Sequence, residues 1–264
     1  AIMKKMLFII NPRSGKEQIR SRLLEILDSF VKAGYGPSVY ITQGPKDAEY
    51  QAARAKTKEL VVCSGGDGTL NEVISGLQVL EKQPLVGYLP QGSTNDFAAS
   101  LKIPSDPAKA AEAIVRGEIR QLDIGCFDER IFVYVASFGA FTKVSYAASQ
   151  GMKNALGHFG YLVEGIRDLN TLRPCRVRIT ADGERLDGDY LFGAVANSTS
   201  IAGMMKLDGE QVVLDDGRFE LLLVPNPKNA AELQNLIWAL LNQQYDAGGL
   251  IFRHVTALHV ETDE

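Results

Sequence analysis

The chain has 264 residues, 45% of them hydrophobic, and its 28 basic and 32 acidic side chains leave a net charge of -4. This length and apolar content allow a large core and predict one large domain or two of modest size. The negative charge disfavours a general nucleic-acid binder, and no apolar run in the sequence approaches the length of a membrane span. We therefore expect a cytoplasmic protein that binds no nucleic acid.

The cysteines and histidines show no disulfide or zinc pattern. The 3 cysteines form no close pair, so we interpret them as reduced thiols of a cytosolic protein. The 3 histidines lack the HExxH arrangement and any other zinc spacing, which disfavours a catalytic zinc site.

Short apolar runs alternate with helical patterns over residues 1–125. Buried strands are predicted at residues 6–10, 39–42, 60–63, 85–89 and 121–125. Helices are predicted at residues 16–33, 47–55, 70–77 and 107–116, the last with a proline in its first turn. This alternation of strands and helices predicts an α/β domain with a parallel sheet.

The stretch of residues 64–72 lies between a predicted strand and a predicted helix. Gly65, Gly66 and Gly68 let the backbone turn sharply and bring its N–H groups close to a ligand. The helix N-terminus adds unpaired donors and a positive dipole end, which together suit phosphate. The negative carboxylate of Asp67 would repel a phosphate group. We therefore expect a divalent cation between this carboxylate and the phosphates. The alternative is a plain strand-to-helix turn in which Asp67 caps the helix.

Two further polar loops follow predicted strands. Residues 11–16, Asn-Pro-Arg-Ser-Gly-Lys, form a turn in which Arg13, Ser14 and Lys16 are able to meet phosphates. The GxxxxGK[ST] pattern of a Walker A loop is absent, and a structural turn with solvated basic side chains is the alternative. Residues 91–97 form a third loop that opens a helix. Because the carboxyl ends of parallel strands share one edge, we expect all of these loops to gather there as a ligand site.

The pattern changes after Gly125, and we assign residues 126–264 to a mainly antiparallel β domain. Strands are predicted at residues 131–138, 177–179, 190–197, 219–224 and 255–260, with turns at 182–183 and 215–217. Helices are predicted at residues 156–169 and 229–245. We interpret the apolar stripe of the second helix as core; a membrane-facing helix is the lesser alternative, because its polar side lacks Lys and Arg.

The loop motifs at residues 11–16, 65–72 and 92–97 resemble, in order and spacing, those of the diacylglycerol kinase catalytic family. That family includes bacterial lipid kinases and sphingosine kinases. Residues 197–199, Asn-Ser-Thr, and 214–217, Leu-Asp-Asp-Gly, look like motifs of its second domain, so the resemblance covers nearly the whole chain. NAD kinases and phosphofructokinases have a similar middle loop, whereas the third loop favours the lipid kinases.

The resemblance implies a fold and an activity. The fold would be an N-terminal doubly wound parallel-sheet domain, similar to NAD kinase and phosphofructokinase, and a C-terminal antiparallel β-sandwich domain, with ATP between them. The activity would be that of an ATP- and Mg²⁺-dependent lipid kinase, foremost one that converts diacylglycerol to phosphatidic acid. Such an enzyme would bind ATP and ADP and visit the inner face of the membrane to reach its lipid. A homodimer is left open.

The same resemblance implies roles for individual residues. The nucleotide would be lined by Asn11, Pro12, Arg13, Ser14, Gly15, Thr42, Gly65, Gly66, Asp67, Gly68, Thr69, Leu70, Asn71, Glu72 and Thr94. A carboxylate network tied together by two basic residues would hold the catalytic magnesium through water, and its members are Asp67, Asp96, Asp123, Lys16 and Arg20. A structural magnesium ion in the second domain would bind Asp216 and the backbone oxygens of Val213 and Arg218. Taken alone, Asp123 would be an ordinary strand-end acid, Asp216 a hairpin-turn acid and Arg20 a solvated helix residue.

One departure from the family pattern concerns the general base. In the family this acid lies in an L-D-G-E segment near the C-terminus, which we expect beyond Glu264. Residues 207–210, Leu-Asp-Gly-Glu, look similar but come much earlier, and we interpret Asp208 and Glu210 as part of a loop or hairpin turn. On this expectation the chain as given binds ATP and magnesium but phosphorylates lipid poorly. The alternatives are a non-catalytic nucleotide- or lipid-binding regulator and another kinase with the same glycine loop, such as an NAD kinase.

Overall fold

The computed structural model of the protein describes residues 2–15, 18–139, 173–201, 205–207 and 212–262. The chain forms two compact units, Ala1–Val133 and Tyr134–Glu264. The first unit extends past the boundary after Gly125 that the sequence predicts. The reason is that a hairpin of residues 125–132 packs against a helix of the first unit.

The first unit is built on a parallel sheet with the strand order β2-β1-β3-β4. Its strands are β1 (Lys4–Ile10), β2 (Tyr35–Ile41), β3 (Leu60–Gly65) and β4 (Leu85–Pro90). Its helices are α1 (Gln18–Lys32), α2 (Asp47–Ala52), α3 (Asp67–Leu77), α4 (Asp96–Ser100) and α5 (Pro107–Arg116). The chain leaves β1 toward β2 on one side and leaves β3 toward β4 on the other. The carboxyl ends of β1 and β3 therefore form the switch point at which such sheets bind ligands.

Both faces of this sheet are buried, which explains why its strands read as continuous apolar runs. On one face Phe8 packs edge-on against Phe30 of α1 at 5.8 Å between ring centroids, and α5 covers the same cluster. The alternate residues Ile9, Val61 and Cys63 are also fully buried, so the opposite face is covered as well. This arrangement confirms the doubly wound fold that the sequence predicts.

Two strand predictions near the end of the first unit are wrong. Residues 121–124 lie in no strand, and Gly125–Phe127 (β5) instead pairs antiparallel with Arg130–Phe132 (β6). Gly125 permits this hairpin, because a Cβ at that position would lie 2.1 Å from the ring of Phe132. The single strand predicted at 131–138 is divided between β6 and β7 (Val135–Gly139), since the chain passes from the first unit to the second between them.

The second unit is an antiparallel β-sandwich. Its main sheet contains β7, β8 (Cys175–Ala181), β9 (Glu184–Arg185), β10 (Gly188–Ala196), β13 (Phe219–Pro225), β14 (Ile251–Val255) and β15 (Leu258–Thr262). The start of β10 pairs with β8, its second half pairs with β7, and β13 pairs with it from Tyr190 onward. A core that includes Ile179, Leu221 and Leu223 packs side chains of β8 with side chains of β13.

Among the described residues of the second unit, the remaining elements are one short strand pair and one helix. The pair is β11 (Ser200–Ile201) with β12 (Met205–Lys206), and the helix is α6 (Ala230–Leu241). Asn229 caps α6 by accepting a hydrogen bond from the Glu232 N–H, and Leu236 and Leu240 are buried, as the core interpretation predicts. Among the described residues, no helix combines the length and apolar character that crossing a membrane requires.

The last predicted strand, at residues 255–260, is wrong because the structure forms two strands there. The carboxylate of Asp182 accepts hydrogen bonds from the N–H groups of Thr256 and Ala257, at 2.9 and 2.8 Å. These two residues therefore belong to neither strand, and they separate β14 from β15. β14 therefore pairs with β13, whereas β15 pairs with β8. The helix predicted at 156–169 lies outside the described residues.

A buried acid interrupts the apolar core beneath α6. Glu220 alternates along β13 with Leu222 and Val224, so it shares their buried face, and only 1% of its surface is exposed. Its Oε1 lies 3.9 Å from Nε2 of His254 on the neighbouring strand. Burial, with a smaller contribution from the negative Asp216, raises the pKa of Glu220 from 4.5 to about 7.

We predict that Glu220→Gln stabilises the protein at pH 8 and has little effect at pH 5. The folded state holds the Glu220 proton more tightly than the unfolded state, so the parent loses stability as pH rises from 4.5 toward 7. An amide cannot ionise, and the gain at pH 8 should be on the order of 1–3 kcal/mol. Chemical denaturation at both pH values measures it, with the same change at exposed Glu129 as the control. Equal stability of variant and parent at pH 8 would contradict this assignment.

Candidate active site

The loops after β1 and β3 are joined by hydrogen bonds at the switch point of the parallel sheet. The N–H of Asn11 donates to the carbonyl of Ser64 at 2.9 Å, which continues the pairing of the two strands. The side-chain amide of Asn11 donates to the hydroxyl of Thr69 in the first turn of α3 at 3.0 Å. Asn11 thus ties the first loop to the glycine loop, and the predicted gathering of these loops is confirmed.

Close backbone contacts join both of these loops to the loop after β4. A Cβ on Gly15, whose φ is +72°, would lie 2.0 Å from the carbonyl oxygen of Gln91. A Cβ on Gly92 would lie 2.6 Å from the Cα of Gly66. No larger residue fits at Gly15 or Gly92 without moving backbone, so glycine is required for the three loops to meet.

The remaining glycines of the middle loop differ in what surrounds them. A Cβ on Gly65 would overlap the side chain of Thr69 at 2.6 Å, so Gly65 is needed for packing. Outside its own helical turn, a Cβ on Gly68 would meet no atom of the described residues within 4 Å, although Gly68 lies in the first turn of α3, where alanine forms helix better. No side chain of the described residues caps α3 at Gly66. Within the part of the chain that the structure describes, the N-terminus of α3 is therefore open on the side of Gly68.

Asp67 is a buried acid with a raised pKa at this edge of the sheet. Its Oδ2 accepts the backbone N–H of Asp96 at 2.9 Å, and its Oδ1 accepts the hydroxyl of Tyr88 at 3.4 Å. Asp67 and Asp96 are 7% and 3% exposed. Burial, followed by the negative charge of Asp96, raises the pKa of Asp67 to about 6 against the opposing hydrogen bonds. Two carboxylates are thus buried side by side, an arrangement that a bound cation would relieve.

The loop after β2 is attached to the same edge. The N–H of Thr42 donates to the carbonyl of Ile10 at 2.9 Å, and Thr42 is buried. Oε1 of Glu72 accepts the N–H of Lys46 at 3.0 Å, where Lys46 adopts a left-handed φ of 64°. Glu72 therefore holds this loop against α3, and the structure brings Thr42 and Glu72 to the edge where the sequence predicts them.

Other predicted nucleotide residues lie in or beside these loops. The N–H of Arg13 donates to Oδ1 of Asn11 at 3.0 Å, and that of Ser14 to the Asn11 carbonyl at 3.3 Å. Pro12 lies between Asn11 and Arg13 in the same loop. Leu70 is buried one turn into α3. Thr94 is exposed in the loop after β4.

The predicted catalytic network is only partly described. Asp67 and Asp96 are brought together, Arg20 is exposed on α1, and Asp123 lies just before β5. The side chain of Asn71 is bonded to backbone groups of β6 and Val133. Lys16, Asp208 and Glu210 lie outside the described residues.

The predicted structural magnesium site lies in the second unit. Val213, Asp216 and Arg218 are exposed around the turn before β13. Oδ1 of Asp216 accepts the N–H of Arg218 at 2.9 Å. Their role as a metal site stays a prediction.

Two supporting residues were missed by the sequence analysis. The hydroxyl of Tyr88 reaches Asp67, and the side chain of Asn95 exchanges hydrogen bonds with the backbone of Gly92 at 2.7 and 2.9 Å. Asn95 holds a left-handed φ of 53°, which asparagine tolerates better than most residues. The signals were a tyrosine near the end of an apolar strand and an asparagine directly before the helix of Asp96.

Within the described ranges, no group of three or more His, Cys, Asp and Glu side chains is placed to hold a metal. Asp67 and Asp96 nevertheless supply oxygen atoms, which are the ligands that Mg²⁺ prefers. Magnesium in nucleotide sites usually takes one or two carboxylates and completes its shell with phosphate oxygens and water. The residues present therefore fit a magnesium ion that arrives with a phosphate ligand.

Comparison with known proteins identifies the same family that the loop motifs resemble. Residues 5–127 match the family model of the diacylglycerol kinase catalytic domain. A diacylglycerol kinase of Bacillus subtilis is 34% identical over 265 residues, covering 99% of this chain and 87% of that protein. One of Staphylococcus carnosus is 38% identical over 236 residues, covering 89% and 76%.

Solved structures show the same fold. A crystal structure of a diacylglycerol kinase from Bacillus anthracis superposes with a TM-score of 0.77 at 23% identity, covering 100% of this chain and 88% of that one. The loops at the sheet edge, the two-unit architecture and the identity to the curated relatives agree with one another. The chain belongs to the diacylglycerol kinase family.

Proposed function

We propose that this protein transfers the γ-phosphate of ATP to the hydroxyl of diacylglycerol and forms phosphatidic acid, with magnesium as cofactor. The observation that carries this proposal is the open N-terminus of α3 beside the buried pair Asp67 and Asp96. Phosphate binds where backbone N–H groups and a positive helix end are exposed, and a cation is needed where carboxylates stand next to it.

The nucleotide part of the proposal rests on Gly68 and its neighbours. The space above Gly68 lets a phosphate approach the α3 backbone more closely than any side chain would allow. Asn11 and Gly15 bring the first loop to the same place through their contacts with Thr69 and Gln91. The triphosphate would lie against these loops, with the rest of the nucleotide toward Thr42.

The metal part of the proposal rests on the carboxylates. Asp67 and Asp96 would hold magnesium directly or through water, with Asp123 as a third acid and Lys16 and Arg20 as counter-charges. The ion would neutralise charge on the phosphates and help to orient them. A second, structural magnesium ion is proposed at Asp216, with the carbonyls of Val213 and Arg218 completing an oxygen ligand set.

The acceptor part of the proposal rests on the named activity of the relatives. The lipid hydroxyl oxygen would form a bond to the γ-phosphorus while the bond from phosphorus to the leaving oxygen of ADP breaks, and a base would take the hydroxyl proton. Diacylglycerol resides in membranes, so the protein would work at the inner surface of the bilayer.

One assay tests the proposal against its alternatives. The purified protein is incubated with γ-labelled ATP and magnesium, and with diacylglycerol vesicles, sphingosine vesicles, NAD or no acceptor. We expect label in phosphatidic acid alone, formed slowly. Label in NADP would make the protein an NAD kinase. If the protein binds ATP but transfers no more labelled phosphate than the sample without acceptor, it is a nucleotide-binding regulator and the proposal is overturned.

We predict that Asp67→Asn keeps or raises stability at pH 8 but lowers lipid phosphorylation by about 10²–10³-fold, the size expected for the loss of one electrostatic group. The amide oxygen can still accept the Asp96 N–H, while the buried negative charge beside Asp96 disappears. Thermal unfolding and initial rates measure the two effects. A variant with near-parental rates at saturating magnesium would remove Asp67 from the mechanism.

We predict that Gly68→Ala stabilises the fold by up to about 1 kcal/mol and weakens ATP binding at least about tenfold. The methyl group meets no atom of the described residues within 4 Å outside its own turn and favours helix, but it occupies the space assigned to phosphate. Gly92→Ala is the contrasting variant, because its methyl group would overlap the Cα of Gly66 and should lower stability first. Calorimetry that finds unchanged ATP affinity in a folded Gly68→Ala variant would contradict the assigned phosphate position.

A further inference from the structure

Both polar atoms of the Asn71 side chain are occupied by backbone that is distant in sequence. The Nδ2 group donates to the carbonyl of Ile131 at 3.1 Å, and Oδ1 accepts the N–H of Val133 at 3.0 Å. Both bonds are partly buried, and their partners belong to the end of the β5–β6 hairpin. The side chain of Asn71 therefore acts as a clamp between α3 and this hairpin.

The clamp restrains the chain segment that carries Asp123. In the hairpin, Gly125 pairs with Phe132 and Cys126 with Ile131, so holding Ile131 and Val133 also holds the start of β5. The ring of Phe132 covers Gly125, where a Cβ would lie 2.1 Å from the ring. Asp123 precedes Gly125 by a single intervening residue, Ile124, so its backbone has little freedom once the hairpin is held.

The clamp also lies on the catalytic side of α3. Asp67 and Asn71 are four positions apart on this helix, and residues at that spacing share one face. α3 thus presents a buried carboxylate in its first turn and the clamp one turn later. The hairpin that follows Asp123 is consequently held on the face of α3 that carries Asp67.

We infer that Asn71 is a positioning residue that places Asp123 relative to Asp67. This inference rests on the proposed function, in which the two acids belong to one magnesium-binding network. Sequence resemblance implies that Asn71 lines the nucleotide; this inference instead rests on the two hydrogen bonds that its side chain makes to the backbone of Ile131 and Val133.

The first experiment separates positioning from nucleotide binding. Asn71→Ala should lower kcat for diacylglycerol phosphorylation by about 10–100-fold, the range for residues that orient metal ligands, and leave KM for ATP within about twofold. Asn71→Asp retains the acceptor for the Val133 N–H but sets a carboxylate oxygen against the Ile131 carbonyl, so it should not restore kcat. Gln78→Ala, which removes an amide from the other end of α3, is the control and should match the parent. A raised KM for ATP with unchanged kcat would make Asn71 a nucleotide ligand and overturn the inference.

The second experiment asks whether Asn71 acts through Asp123. If it does, combining Asn71→Ala with Asp123→Asn should lower kcat no further than Asp123→Asn alone. Multiplying effects would show that the two residues act independently and would overturn the inference. Thermal unfolding is recorded for each variant, and a variant that is unfolded at the assay temperature is measured at a lower temperature where it is folded.

A third measurement needs no catalysis and keeps this inference separate from the proposed function. Hydrogen exchange at the Val133 amide should be faster in Asn71→Ala by about tenfold or more, and unchanged in Gln78→Ala. Unchanged exchange in Asn71→Ala would refute the clamp.

If the parent transfers no phosphate to any acceptor, the proposed function fails. The inference is then tested by the magnesium dependence of ATP-analogue binding, which Asn71→Ala should weaken as Asp123→Asn does. An Asn71→Ala variant with unchanged magnesium dependence would overturn the inference.

Discussion

Backbone contact between glycines is the constraint on which the site depends. Gly66 and Gly92 bring two loops together where even a methyl group would not fit, and Gly15 approaches the carbonyl of Gln91 in the same way. Loops that touch through backbone are stiffer than loops that touch through long side chains, because few rotamers must be ordered. The edge of the sheet is therefore held in place by backbone packing, which would lower the entropic cost of holding the phosphate chain that we propose binds there.

The two buried carboxylates at this edge lower the stability of the fold, and the proposed function gives them a role as magnesium ligands. Burial and the charge of Asp96 raise the pKa of Asp67, which means that the folded protein bears the cost of holding two acids together. Hydrogen bonds from the Asp96 backbone and Tyr88 offset part of that cost. A divalent cation would offset the rest, so the arrangement that costs stability would suit the magnesium ion that we propose. Glu220 in the second unit is a buried acid of another kind, since it faces an apolar core and His254.

Most of the fold could be predicted because hydrophobic periodicity and turn residues are local signals. The strands β1, β3 and β4 and the helix α5 lie where the sequence indicates them. The failures share one cause. Residues 121–125, 131–138 and 255–260 have strand-like composition, but whether they pair, divide or bend depends on partners elsewhere, such as Phe132 for Gly125 and Asp182 for Thr256.

The sequence by itself determined the glycine loops, their acids and the family, because each is a short motif whose chemistry is carried by neighbouring residues. Only the tertiary structure decided which residues support those motifs. Tyr88 reaches Asp67 across 21 positions, and Asn71 binds Val133 across 62. The physical reason is that a hydrogen bond depends on distance in space, and a side chain as ordinary as asparagine carries no mark in the sequence of the backbone it will meet.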